Sequence, residues 1–153
     1  MNNLTIQKLK DKKEIPWSLL LLADPSKKII EKYIYDSDTY VSYVNNEVVG
    51  VYVLINLSSD TVELKNIAVD GQYQGKGIGK QLVLDAINKA KSKGAKRIEV
   101  GTGNSSLSQL ALYQKCGFRI IGVEKNFFTK YYKEEIIENG IKCIDMIRLA
   151  IEL

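Results

Sequence analysis

Hydrophobic and polar positions divide the chain into segments of two different periods. Residues 4–9 alternate apolar and polar side chains, as a first strand would. Apolar clusters at 17–23 and 27–35 predict two short helices separated by Asp24-Pro25-Ser26, where Pro25 suits a helix start. Residues 39–43, 48–57 and 62–69 are rich in Val, Ile and Tyr and predict three strands. Their links, Asn45-Asn46 and Ser58-Ser59-Asp60, are short enough to imply an antiparallel meander.

After residue 70 the period changes. Ile78, Leu82, Val83, Ala86, Ile87 and Ala90 mark one face of a helix that Gly94 stops. A strand at 97–100, a helix at 107–115 ended by Gly117 and a strand at 118–123 follow. A last strand is predicted at 141–151, entered through the turn signal Asn139-Gly140. The predicted order is β-α-α-β-β-β-α-β-α-β-β. Strand-helix-strand over residues 62–100 requires a parallel pair inside a mostly antiparallel sheet, so the fold class is mixed α+β.

Composition narrows the chemistry. With 153 residues, 45% hydrophobic and 26% charged, the chain suits one domain with a single core, spanning 1–153. The net charge of +4 helps attract a polyphosphate but does not point to nucleic acid. The longest apolar run, residues 19–23, is far below a membrane span, and Asp11, Glu14 and Pro16 do not suit a signal peptide; a cytoplasmic location is expected. Cys116 and Cys143 show no metal-ligand spacing and read as reduced thiols. The absence of histidine removes Ser-His-Asp and Cys-His nucleophilic machinery and imidazole-based zinc sites, and no metal is expected.

The most informative segment runs from a strand into a helix: Ile67-Ala68-Val69-Asp70-Gly71-Gln72-Tyr73-Gln74-Gly75-Lys76-Gly77-Ile78-Gly79-Lys80. Glycine lets a ligand approach the backbone, and a helix start offers N–H groups and a positive dipole end to an anion. Lys76 and Lys80 add charge. The alternate spacing of Gly75, Gly77 and Gly79 does not match the dinucleotide fingerprint, and Gln74 and Gln81 break the Walker pattern around Gly79-Lys80.

Gln74, Gly77 and Gly79 do meet the pattern Q/R-x-x-G-x-G/A. This resembles the pyrophosphate signature of the GNAT superfamily of acyl-CoA-dependent N-acetyltransferases, and Leu112-Tyr113-Gln114-Lys115-Cys116-Gly117-Phe118 is similar to that family's L-Y-x-x-x-G-F. The resemblance covers nearly the whole chain and is strongest from residue 63 to 118. Many members carry Asn seven residues before the tyrosine and Ala four before it; here Ser106 and Gln109 stand there, with Asn104 displaced. Residues 99–118 look like a subgroup of small bacterial members for which aminoglycoside acetylation has been suggested by similarity.

The resemblance implies helices on both faces of the sheet and acetyl-CoA as acyl donor. The cofactor would lie on Ile67, Ala68, Val69, Gln74, Gly75, Lys76, Gly77, Ile78, Gly79 and Lys80, with a backbone amide near Ile67–Val69 donating to the thioester carbonyl. Tyr113 falls on the family's tyrosine, as general acid to the thiolate or as a group orienting the sulfur. A phenol pKa of about 10 lies above a thiol at about 8.5, so that proton transfer is uphill unless the site shifts both. Glu63, five residues before Ala68, falls where the histone-acetylating branch carries a general-base glutamate; strand alternation places it on the same face as Lys65, Ile67 and Val69.

Glu134, Glu135 and Glu138, with Asp36 and Asp38, are candidates to line the path of a cationic acceptor. The implied function is transfer of an acetyl group from acetyl-CoA to a small-molecule amine such as an aminoglycoside or polyamine, without nucleic acid or membrane partners. A homodimer is allowed. The alternatives are a protein lysine or N-terminal acetyltransferase and, from another class, a catalytically silent CoA-binding sensor.

Overall fold

The computed structural model describes residues 3–153. Strands β1 (Leu4–Lys8), β2 (Asp38–Val44), β3 (Glu47–Asn56) and β4 (Thr61–Val69) form the antiparallel run. Asn45 and Asn46 close the β2–β3 hairpin at φ 52° and 66°, a backbone region that asparagine tolerates.

Between β1 and β2 lie α1 (Trp17–Ala23) and α2 (Lys27–Glu31). The Ser26 Oγ caps α2 by accepting the Ile29 N–H at 3.3 Å. The helix is shorter than the apolar spacing predicts. Lys32 and Tyr33 donate their N–H groups three residues back, to the Ile29 and Ile30 carbonyls, and the chain tightens into a 3₁₀ turn at Ile34–Asp36. Ile30 and Ile34 are nonetheless both fully buried.

The second half contains α3 (Ile78–Ser92), β5 (Arg97–Gly103), α4 (Leu107–Lys115), β6 (Arg119–Glu124), α5 (Phe127–Tyr131), β7 (Ile137–Glu138), β8 (Ile141–Lys142) and β9 (Met146–Glu152). Seven strands form one sheet in the order β1-β2-β3-β4-β5-β9-β6, in which β4 and β5 are the parallel pair. The mixed sheet, the single parallel pair and the flanking helices agree with the expected class.

The last strand is a correction. Asn139 and Gly140, at φ 57° and 72°, join only the two-residue strands β7 and β8, and the sheet strand starts later, at Met146. The cause is Asn104. Its Oδ1 accepts the Ile144 and Asp145 N–H groups at 2.8 and 2.9 Å, and its Nδ2 donates to the Lys142 carbonyl at 3.1 Å, so the N–H groups of Ile144 and Asp145 are bonded to a side chain instead of a neighbouring strand.

Two apolar layers hold the sheet. On one face Ile78, Leu82, Val83, Ala86 and Ala90 of α3 pack on Tyr52, Leu54, Leu64 and Ile67. On the other, Leu19 and Leu20 of α1 and Ile30 of α2 pack on Val51, Val53 and Ala68. Burying such side chains contributes about 1.5–3 kcal/mol each.

Candidate active site

The site originates in one extra residue. Leu54 of β3 faces Leu64 of β4, but the next pair is Val53 with Asn66, which leaves Lys65 as a β-bulge. On its other side β4 pairs with β5 only from Thr61–Arg97 to Leu64–Val100. Past the bulge the two strands part, and among the described residues the β4 edge at residues 65–69 has no strand partner on the β5 side. A cleft of about 470 Å³ opens in that gap. Its lining includes Leu64, Ile67 and Tyr113 from the α3 face and Glu63, Asn66, Leu22 and Ala23 from the α1 face, so it passes through the sheet.

The bulge also overturns the expected orientation of Glu63. Val53 and Ile55 share a face, and they pair with Asn66 and Glu63. Glu63 therefore lies on the face of Asn66 and Ala68, opposite Ile67 and Val69, because the extra residue reverses the alternation. The residue is 5% exposed, and its carboxylate meets Arg148 Nη1 at 3.6 Å and Lys65 Nζ at 4.0 Å. Burial raises its pKa above the ordinary carboxyl range. The cations Lys65 and Arg148 partly oppose this, while Glu99 and Glu124 reinforce it.

Tyr113 is buried on α4, its ring edge-on to Phe118 with centroids 5.7 Å apart. Burial raises its pKa well above that of a free phenol, with a smaller contribution from Cys116. Gln109 stands one turn earlier on the same helix face. Its Oε1 and the Asn66 Oδ1, both on residues lining the cleft, are buried acceptors without a hydrogen-bond partner among the described residues.

The glycine-rich loop lies at the end of β4. Gly77 is the residue before α3 and takes the left-handed conformation at φ 82°; Gly75 does so at 77°. Among the described residues, its chain neighbours aside, no atom lies within 4 Å of where a Cβ on Gly77 would stand. The first turn's hydrogen bond runs from the Gln81 N–H to the Gly77 carbonyl, so the amides of Ile78, Gly79 and Lys80 precede the helical ladder. Gln74 ties the loop to β4 by donating Nε2 to the Val69 carbonyl at 3.0 Å.

The far wall of the cleft is aromatic. Phe127, Phe128, Tyr131 and Tyr132 line it from α5 and the residue after. The Tyr132 hydroxyl donates to Asp24 Oδ1 at 2.9 Å, bridging this wall to the end of α1. Asp24 is raised in pKa by burial. Tyr33, pushed up to about 12 chiefly by burial, accepts from the Asn66 Nδ2 at 3.1 Å.

A splayed parallel pair beside a glycine-rich helix start has relatives. The model of the Acetyltransferase (GNAT) family matches residues 7–118. The Bacillus subtilis protein named "Uncharacterized N-acetyltransferase YvbK" is 52% identical over 100% of this chain and 99% of its own. The chain belongs to the GNAT family. A solved GNAT family acetyltransferase from Elizabethkingia anophelis with acetyl-CoA bound is 51% identical, with a TM-score of 0.97 and full coverage of both chains. A structure named "IAA acetyltransferase" from Bacillus cereus is 55% identical with a TM-score of 0.95, covering 99% of this chain and 100% of that one. The chain is an N-acetyltransferase of the GNAT type.

Within this GNAT domain the residues expected from sequence fall in two groups. Glu63, Ile67 and Tyr113 line one cleft, whereas Ala68 and Val69 continue β4 beyond it toward the loop of Gln74, Gly75, Lys76, Gly77, Ile78, Gly79 and Lys80. The acidic path is only partly realised. Asp38 is ion-paired with Lys8 and Lys93, and neither it nor Asp36 lines the cleft. Glu134 and Glu135 border a separate shallow pocket, and Glu138 reaches the cleft.

Sequence reasoning missed Asn66, Asp24, Tyr33, Arg148 and the aromatic wall. Arg148 was visible as a lone charge within Met146-Ile-Arg-Leu-Ala-Ile151, and the wall as four aromatics in six residues. Cys116 and Cys143 are unbridged, as expected. No helix among the described residues is long and apolar enough to cross a membrane.

Proposed function

We propose that this N-acetyltransferase transfers the acetyl group of acetyl-CoA to the amine of a small molecule. The observation that carries this is the size of the cleft, with side chains that tie its walls together. The Tyr132–Asp24 hydrogen bond joins two walls of a cleft of about 470 Å³, within the usual range for small-molecule pockets.

Several features fit acetyl-CoA. The amides at the α3 start and the open left-handed Gly77 suit a pyrophosphate, in the loop from Gln74 to Lys80. The unpaired β4 edge at Ile67, Ala68 and Val69 suits the pantetheine arm, and Gln109 Oε1 offers a buried acceptor to an amide N–H. A backbone amide of that edge would stabilise the oxyanion.

The amine nitrogen attacks the thioester carbon, forming C–N, and the C–S bond breaks. Glu63, whose pKa burial raises above the ordinary carboxyl range, takes the nitrogen's proton directly or through water. Tyr113 hydrogen-bonds the departing sulfur. Its burial makes it a poorer acid than a free phenol, so orientation and hydrogen bonding carry its role and solvent supplies the thiol proton. The products are the amide and free CoA thiol.

Thiol release from acetyl-CoA, measured with a panel of free amines and with lysine and N-terminal peptides, tests the reading. Free amines should give the higher kcat/KM; faster turnover of peptides would establish the protein-modifying alternative.

A further inference from the structure

The acceptor wall carries more information than its volume. A five-residue helix is too short to hold by its own propensity. α5 is pinned instead by the Asn126 N–H to Asp145 Oδ1 at 2.8 Å and the Phe128 N–H to the Ile144 carbonyl at 2.9 Å. The pinned helix gathers rings on the cleft: Phe127 and Phe128 have centroids 5.1 Å apart, Phe127 and Tyr131 4.9 Å, Phe128 and Tyr132 5.5 Å. None of the four belongs to either buried core.

The charges around this wall do not suit a polycation. Three carboxylates line the cleft, Asp24, Glu63 and Glu138, and three cations stand with them, Lys32 and Lys65 in its lining and Arg148 against Glu63. Asp24 Oδ1 accepts from the Ser26 N–H and the Tyr132 hydroxyl, and Glu138 Oε1 accepts from the Ser105 and Ser106 hydroxyls at 3.0 and 2.8 Å. Glu63 alone among the three is left to ion pairs, with Lys65 and Arg148. Lys32 and Lys65 repel further positive charge. An aminoglycoside or polyamine brings several ammonium groups into a lining whose carboxylates are already matched by cations.

We infer that the acceptor is a monoamine bearing an apolar ring, with the ring seated on Phe127, Phe128 and Tyr132 and the nitrogen directed toward Glu63. This rests on the small-molecule reading above and sets its substrate class. The ring removes the aromatic wall from water, and a single amine, neutral when it attacks, adds no surplus positive charge to a lining already balanced. Acetylation joins the carbonyl carbon to that nitrogen, breaks C–S, and moves one proton from nitrogen to Glu63 or water while the thiolate gains one.

The test uses the full chain with saturating acetyl-CoA and compares kcat/KM for 2-phenylethylamine, n-butylamine, spermidine, kanamycin and a lysine-containing peptide. Phenylethylamine should exceed each of the others by about tenfold or more, the ratio that burying one ring supports. In Phe127→Ala the preference for phenylethylamine over butylamine should collapse toward unity. Calorimetric titration with acetyl-CoA reports whether the variant is folded, and Phe127→Leu, which keeps the apolar volume, replaces it if it is not. Spermidine, kanamycin or butylamine equal to phenylethylamine would overturn the inference alone, as would an unchanged preference in the folded variant. The peptide as best acceptor would overturn the small-molecule reading with it.

Discussion

Glu63 on β4 and Arg148 on β9 stand 3.6 Å apart, Oε2 to Nη1, although β5 lies between their strands. The contact crosses β5 at Gly101, the residue paired with Arg148. A Cβ on Gly101 would stand 3.1 Å from Arg148 Nη1. The missing side chain on one strand thus lets a cation from the next reach the candidate base on a third. Arg148 also meets Glu99 at 3.4 Å and Glu124 at 3.7 Å, so one guanidinium holds three carboxylates together.

Glu63→Gln separates the base role from the folding role. Burial raises the carboxyl pKa in the folded protein above its usual 4.5, so the native state binds this proton more tightly than the unfolded chain does. Glu63's stabilising contribution is therefore full below the unfolded value and is lost as pH rises through the folded one. Glutamine escapes that loss. The variant should melt higher than the parent at pH 7, with the difference shrinking toward pH 4. Its kcat/KM should fall by about a hundredfold to ten-thousandfold. A normal rate would remove Glu63 from the chemistry.

Arg148→Gln tests whether the arginine acts through Glu63. Removing the positive charge lets burial, Glu99 and Glu124 raise the Glu63 pKa further, with Lys65 left as the opposing cation. The acidic limb of kcat against pH should move to higher pH for one and the same acceptor. A purely structural arginine predicts a lower melting temperature with the limb unmoved.

Gly77 carries two demands, a left-handed backbone and room for a ligand. Valine violates both, and the backbone strain alone is worth about 1–2 kcal/mol of stability. Asparagine tolerates the left-handed region, and the protein leaves its Cβ position open. Gly77→Asn should therefore fold normally yet bind CoA at least about tenfold more weakly by calorimetry, since the added side chain occupies the phosphate approach. Unchanged affinity would show that the pyrophosphate lies elsewhere.

What the sequence revealed and hid follows from how local each signal is. The loop from Gln74 to Lys80 and the Asn45-Asn46 turn were legible because glycine and asparagine report backbone conformation residue by residue. The bulge at Lys65 was not, since an extra residue is defined only by pairing with β3, and strict alternation put Glu63 on the wrong face. The late start of β9 depends on the Asn104 side chain about forty residues away. α5 has neither the length nor the caps that announce a helix, and its rings acquire meaning only opposite Asp24.

The Tyr132–Asp24 bridge should govern the acceptor more than the donor. Tyr132→Phe keeps the ring and removes a hydrogen bond to a half-buried carboxyl group, a type worth about 1.5–3 kcal/mol. The acceptor KM should rise by about tenfold or more, with the acetyl-CoA KM nearly constant. Equal changes in both constants would place the effect in general folding instead of the bridge.

Tyr113→Phe examines the leaving group. The ring stays packed on Phe118, so CoA affinity and melting temperature should stay close to those of the parent. The lost hydroxyl should lower kcat by about tenfold to a thousandfold if it bonds the sulfur as C–S breaks. Because burial already makes this phenol a weak acid, the variant should also leave the alkaline side of the pH profile unchanged. A true proton donor would instead create an alkaline limb in the parent that disappears in the variant. Chemistry must be rate-limiting for the comparison, which a single-turnover measurement at saturating acetyl-CoA secures. A parent-like rate there would reduce Tyr113 to packing and leave the sulfur's hydrogen bond to water or to the backbone.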